Sequence, residues 1–254
     1  MDVFCFDFDG VICDSAPETA LSAWQGGRAL GYDFPEKLPE ALQERFCRLR
    51  PVMHTGFEAI PLMRLIEAGQ ETDERLFEAF PALRDEVIAR EKLSREQLQK
   101  VFGEIRDRWI EEDQESWLKM NGFYSGVGEA LTAAIGNHPV FIITTKQERF
   151  VELLLGHHRI ELTGERIFGL ERKRSKPEIL TELAGRAEFK TATLHFIEDR
   201  LEALESVIEI PALRPLTLYL ADWGYNTPQQ RRQAAENPRI EMLSLAGCRR
   251  LCGV

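Results

Sequence analysis

The 254-residue chain has no apolar run approaching the ~20 residues of a bilayer-spanning helix, and the reading is of a chain without a membrane partner. It has no basic excess either. Thirty-two Lys and Arg face 42 Asp and Glu, a net charge of -10, which argues against nucleic-acid binding because that function shows a basic face. Cysteine is scarce: the five, at positions 5, 13, 47, 248 and 252, form no Cys-x-x-Cys pair. An odd count with no visible leader segment points to reduced thiols and a cytoplasmic location. There is no internal repeat and no low-complexity tract. What remains, 44% hydrophobic and 29% charged, is a globular chain of one large or two modest domains, of unknown oligomeric state. The acidic balance leaves room for a small phosphorylated metabolite, because a local lysine or metal can invert the local field.

The rest of the chain is organised around its beginning, Val3-Phe4-Cys5-Phe6-Asp7-Phe8-Asp9-Gly10-Val11. Its apolar, aromatic-rich start from Val3 to Phe6, without charge, reads as a buried strand of the kind found in parallel sheets. Side chains alternate along a strand, so Asp7 and Asp9 emerge on the same side where it ends. Two like charges at the mouth of an apolar strand repel, and a cation or a shared proton relieves that cost. Gly10 permits a sharp turn and close approach of backbone to a ligand.

Asp14 or Ser15 could cap a helix with Pro17 in its first turn, running to about Leu30 and stopping at Gly31. A helical pattern without a convincing strand follows to 118. Leu42, Phe46 and Leu49 share a face, as do Leu62, Leu65 and Ile66, then Leu76, Phe80, Leu83 and Val87, then Leu98, Val101, Phe102, Ile105 and Trp109. Ser94-Arg95-Glu96-Gln97 fits a capping box. These stripes are read as helix–helix core, and Arg48 to Gly56 as a connector whose cations could meet an anionic substrate tail.

From Asn121-Gly122 onward the pattern alternates strand and helix. Val140 to Thr144 is an apolar strand ending in a hydroxyl just before a helix, a natural phosphate position, with Thr145 and Lys146 beside it. At Lys176-Pro177 the proline fits the first helical position, which puts Lys176 at the N-cap. A cation at the positive end of a helix is a local conflict of the kind found at functional sites, with Lys173 as the alternative lysine. Thr193 to Ile197 is a strand ending in Glu198-Asp199, and Leu216 to Ala221 is a further one. Asp222-Trp223-Gly224-Tyr225-Asn226-Thr227 forms a loop, Thr227-Pro228 opens a helix, and Ile240 to Leu245 is a last edge strand.

Asp-x-Asp-Gly-Val after such a strand resembles the first motif of the haloacid dehalogenase-like (HAD) hydrolase superfamily. Thr144, Lys176-Pro177 and Glu198-Asp199 resemble its second, third and fourth motifs, in the right order. The helical insertion after the first motif resembles the phosphoglycolate phosphatase-like subgroup with a helical cap. The resemblance implies an α/β fold: a doubly wound parallel-sheet, Rossmann-like core over 1–15 and 119–254, with an α-helical cap over 16–118. It implies a Mg2+-dependent phosphatase with Asp7 as nucleophile and Asp9 as general acid/base. Thr144, Thr145, Lys176 and Gly10 would bind the substrate, and Asp7, Asp9, Asp199 and Glu198 the metal. The fourth motif departs from the frequent Gly-Asp-Ser-x-x-Asp, because Ala203 stands where the second Asp would fall. The alternatives are a phosphosugar mutase of the same superfamily and a non-catalytic HAD scaffold that binds a phosphorylated metabolite or a protein.

Overall fold

A computed structural model describes all residues from 1 to 254. The chain divides into two compact units, one of residues Met1–Asp14 and Phe123–Val254, the other of Ser15–Gly122.

The first unit is built on a six-stranded, all-parallel sheet. In chain order its strands are β1 (Asp2–Phe6), β4 (Val140–Ile143), β5 (Ile167–Phe168), β6 (Thr193–Glu198), β7 (Thr217–Ala221) and β8 (Ile240–Leu243). The two-residue segments β2 (Cys13–Asp14) and β3 (Gly122–Phe123) complete the numbering. Lateral order is β5-β4-β1-β6-β7-β8. The chain thus leaves β1 for one side and later returns to β1's other side, the doubly wound arrangement that the family resemblance implies. β1 lies at the switch point of that winding, where such sheets bind ligands beyond the carboxyl ends of their strands.

The central strands are buried on both faces. Val3, Cys5, Phe196, Leu218 and Leu220 pack with Ile179 and Leu183 of α8 (Lys176–Gly185) and with Leu201 and Leu204 of α9 (Leu201–Ile208). Phe4 and His195 stack on the other face at 4.9 Å. Truncating a buried phenylalanine in such a layer costs ~3–5 kcal/mol, in lost transfer free energy and in the cavity left behind.

The second unit is helical, comprising α1 (Ala16–Ala29), α2 (Glu40–Leu49), α3 (Ala59–Ala68), α4 (Asp73–Arg90) and α5 (Arg95–Lys119). Its core gathers the apolar stripes: Trp24 stacked on Phe34 at 4.2 Å, with Phe46, Leu62, Phe80, Leu98 and Phe102. Ser15 stands at the N-cap of α1, although its hydroxyl makes no cap bond, and Gly31 follows the helix at φ +90°. Ser94 Oγ accepts from the Gln97 N–H at the start of α5. The helical stripe gives no sign of a kink at Asp113, whose φ of -155° breaks α5. There the carboxylate accepts from the Ser116 N–H and recaps the next turn.

The connector from Arg48 to Gly56 is more ordered than a loop. Arg48 lies in the last turn of α2, and two 3-10 turns follow, Arg50–Val52 and Gly56–Glu58. The buried Glu58 carboxylate braces them by accepting from the His54 and Thr55 N–H groups and pairing with Arg84.

Within this unit Arg106 meets Glu18 through two bonds of 2.7 and 2.6 Å. Ser22 and Trp117 donate to the same carboxylate, and the Arg106 guanidinium lies 4.1 Å over the Phe102 ring. A buried ion pair is tolerable only when its remaining lone pairs are satisfied in this way. No helix in the chain is long and apolar enough to cross a membrane.

Candidate active site

The carboxyl ends of β1, β4 and β6 carry the candidate residues. Asp7 follows β1 directly, and its N–H donates to Ile197 O of β6, which fixes the residue in ladder register. Asp7 is buried, with its side chain 8% exposed. Gly10 takes φ +90°, and a Cβ there would lie 2.0 Å from Asp199 Oδ2. Only a glycine can turn the chain so close to that acid.

Asp7, Glu198 and Asp199, all buried, bring one ligand oxygen each to within 4.8 Å of one another. Lys176 enters this group from α8, with Nζ at 2.9 Å from Asp7 Oδ1 and 2.6 Å from Glu198 Oε2. Its position at the helix end needs correction. The N-cap is Ser175, whose hydroxyl accepts from the Glu178 N–H while Glu178 reaches back to the Ser175 N–H. Lys176 is the first helical residue rather than the cap, and its charge remains in the first turn, where the helix dipole disfavours a cation. Two buried carboxylates hold the lysine there. Lys173 is exposed, in a left-handed turn.

The Asp9 carboxylate lies outside the three-acid group. Lys146 Nζ donates to its Oδ1 at 3.0 Å, and that lysine side chain is 1% exposed. Thr144 is buried at the end of β4, where its N–H donates to Phe168 O and its Oγ1 accepts from the Lys146 N–H. Thr145 is exposed. Lys146 is the functional candidate that the sequence reading left without a role. The available signal was a lysine two residues past a strand-ending threonine, which by itself looks like a solvated helix start.

Electrostatics follow from burial. Loss of water raises the Asp7 carboxyl to about 7, with Lys176 opposing the rise and Glu198 adding to it. Glu198 is raised to about 7 by burial, opposed by Lys176 and reinforced by Asp199. Asp199 is raised by burial and by the Asp7 charge. Burial alone would lower Lys176, but Asp7 and Glu198 raise it above the ordinary lysine value, so it stays an ammonium.

Three buried carboxylates therefore face one ammonium, a shortfall of two positive charges when all are ionised. Asp199 Oδ1 is buried with no hydrogen-bond partner, whereas both Glu198 oxygens are engaged, by Lys176 and by the Asp199 and Arg200 N–H groups. An all-oxygen donor set with one orphaned buried oxygen and this charge deficit fits a hard divalent cation such as Mg2+.

Comparison with known proteins agrees with this architecture. The family model described as haloacid dehalogenase-like hydrolase matches residues 1–207. Among solved structures, a predicted phosphatase from Clostridium acetobutylicum superposes with a TM-score of 0.60 at 14% identity, over 98% of this chain and 97% of that one. A predicted phosphoglycolate phosphatase from Haemophilus somnus gives 0.57 at 16%, over 98% and 96%. A haloacid dehalogenase-like family protein from Streptococcus pneumoniae gives 0.55 at 12%, over 94% and 92%. At such identities the likeness is one of fold. No curated protein matches the chain. With the family model spanning most of its length, the chain belongs to the haloacid dehalogenase-like hydrolases.

Proposed function

We propose that this hydrolase is a Mg2+-dependent phosphatase acting on a small phosphomonoester through an aspartyl-phosphate on Asp7. The observation that carries the reading is the convergence of Asp7, Lys176, Glu198 and the half-unpartnered Asp199 at the carboxyl ends of β1 and β6. Two fold neighbours, described as a predicted phosphatase and a predicted phosphoglycolate phosphatase, support the same reaction class.

An oxygen of Asp7 forms a bond to phosphorus while the ester P–O bond breaks, and a protonated Asp9 gives its proton to the departing alkoxide. Asp9 then takes a proton from water as the water oxygen attacks the same phosphorus. The bond to Asp7 breaks, phosphate leaves, and both carboxyl groups return to their starting states. Lys176 opposes the pull of burial on Asp7 and offers its ammonium to the phosphoryl oxygens, with the Thr144 hydroxyl as a second donor. Asp7 and Asp199, with Glu198 behind them, would hold the Mg2+, which supplies charge neutralisation at the phosphoryl group. Asp9, paired with Lys146, is assigned to proton transfer. Residues 16–118 are read as the cap that chooses the substrate.

The test is phosphate release from p-nitrophenyl phosphate and a panel of phosphorylated metabolites, with Mg2+ or EDTA, on wild type and Asp7→Asn. Release that needs Mg2+ and disappears in the variant supports the reading. Folded wild-type protein that releases phosphate from no compound removes it, in favour of a mutase or a scaffold.

A further inference from the structure

The turn after β7 has no part in the chemistry above, yet it converges on one acid. Gly224 lies so close that a Cβ there would sit 2.3 Å from Asp199 Cβ and 2.4 Å from Gly10 O. The Tyr225 N–H donates to Asp199 Oδ2 at 2.6 Å, and its hydroxyl to Asp14 Oδ1 at 2.8 Å. Asn226, 5% exposed, donates through Nδ2 to Asp199 O at 2.9 Å and to Ala221 O at 2.8 Å. Arg231 of α10 (Pro228–Glu236) donates to Asn226 Oδ1 at 2.8 Å.

The chemistry of the partners fixes the amide's orientation. A guanidinium only donates, so the oxygen must face Arg231, and two carbonyls only accept, so the NH2 must face Asp199 and Ala221. The β6–β7 ladder ends at Glu198↔Leu220. The Asn226 amide therefore ties together the next residue of each strand, where the ladder has stopped. The tie holds the Asp199 backbone, while the Tyr225 N–H occupies Oδ2 and leaves Oδ1 as the free oxygen.

Resting on the proposed Mg2+ site, we propose that Asn226 is a positioning residue for the cation: by bridging the Asp199 and Ala221 carbonyls it aims Asp199 Oδ1 at the space shared with Asp7 and Glu198. Asn226 does not touch the cation. Its effect passes through the Asp199 backbone, as outer partners of a metal ligand commonly act.

The experiment is Mg2+ titration by calorimetry on substrate-free protein, for wild type, Asn226→Ala, Arg231→Met and Val207→Ala. Val207 is buried in α9 and away from the site, so its truncation controls for lost stability alone. The Asn226 variant should raise the Mg2+ Kd by about 10- to 100-fold. Its kcat should recover at saturating Mg2+. Arg231 lies on the half-buried face of α10, so Arg231→Met keeps the fold and frees the amide to flip, with a smaller rise of Kd in the same direction. Val207→Ala should keep the wild-type Kd while lowering Tm. A wild-type Kd in both Asn226→Ala and Arg231→Met overturns the inference, and so does an equal rise in Val207→Ala. Wild-type protein that binds no Mg2+ overturns this inference and the cation reading together, whereas binding that ignores Asn226 removes this inference alone.

Discussion

Raising the pH from 5 to 7 without divalent cation should destabilise the protein, and Mg2+ should restore stability most where the loss is greatest. Burial raises the folded Asp7 carboxyl to about 7, against about 3.9 in an unfolded chain. The folded state thus holds this proton more tightly than the unfolded state does. The stability it contributes is fully present below about pH 4 and is lost as pH rises through 7. A full proton difference is worth ~1.4 kcal/mol per pH unit, which over this interval gives about 2.5 kcal/mol. For a chain of this size that is a fall in Tm of about 5–10 °C. Glu198, also raised to about 7 by burial, acts in the same direction. Mg2+ needs deprotonated carboxylates, so its stabilisation should grow as pH climbs through the same window. Thermal melts from pH 5 to 8 with EDTA or Mg2+, on wild type and Asp7→Asn, test this. The wild-type-minus-variant difference isolates Asp7 from other titrating groups. A Mg2+ gain in Tm that is equal at pH 5 and pH 8 would refute the reasoning, as would an EDTA profile that Asp7→Asn leaves unchanged.

Gly10→Ala should lower stability by at least ~2 kcal/mol, since φ +90° alone costs about 1–2 kcal/mol for an L-residue and its Cβ would meet Asp199 Oδ2 at 2.0 Å. An unchanged urea midpoint would show that the turn can relax. Lys146→Met removes the ammonium at 3.0 Å from Asp9. If Asp9 is the acid, kcat/KM for an alkyl phosphate should fall by about 10²-fold, with a smaller fall for p-nitrophenyl phosphate, whose leaving group needs no proton. Equal losses on both substrates would count against that link. In the helical unit, Arg106→Met strips the counter-charge from the fully buried Glu18 and should cost ~3–5 kcal/mol. The double variant with Glu18→Gln should recover much of the loss in chemical denaturation, and a purely additive double variant would deny the coupling.

What the sequence determined by itself was the scaffold and the addresses of the acids. Runs such as Val3 to Phe6 and Val140 to Ile143 read as buried strands of a parallel sheet, because period-2 alternation is missing and no polar group interrupts them. Asp7, Thr144 and Glu198-Asp199 were legible because each ends such a strand, and one sheet edge gathers strand ends. The helical stripes from Leu42 to Ile105 were legible because a 3.6-residue period survives any arrangement of the helices.

Tertiary structure alone decided the pairings. Lys176 looked like a misplaced cap until Ser175 took the cap and two carboxylates from β1 and β6 took the lysine. Lys146 lies 137 residues from Asp9 in the chain, and no local pattern announces a charge pair closed over that distance. Asn226 in a polar turn reads as an ordinary turn residue. Its amide acquires a task only when β6 and β7 lie side by side and leave two carbonyls beyond the end of their ladder. Periodicity and strand ends are properties of a segment, carried by the covalent chain. The partner of a buried charge or amide is a property of the packing, set by which strand ends the sheet order brings together.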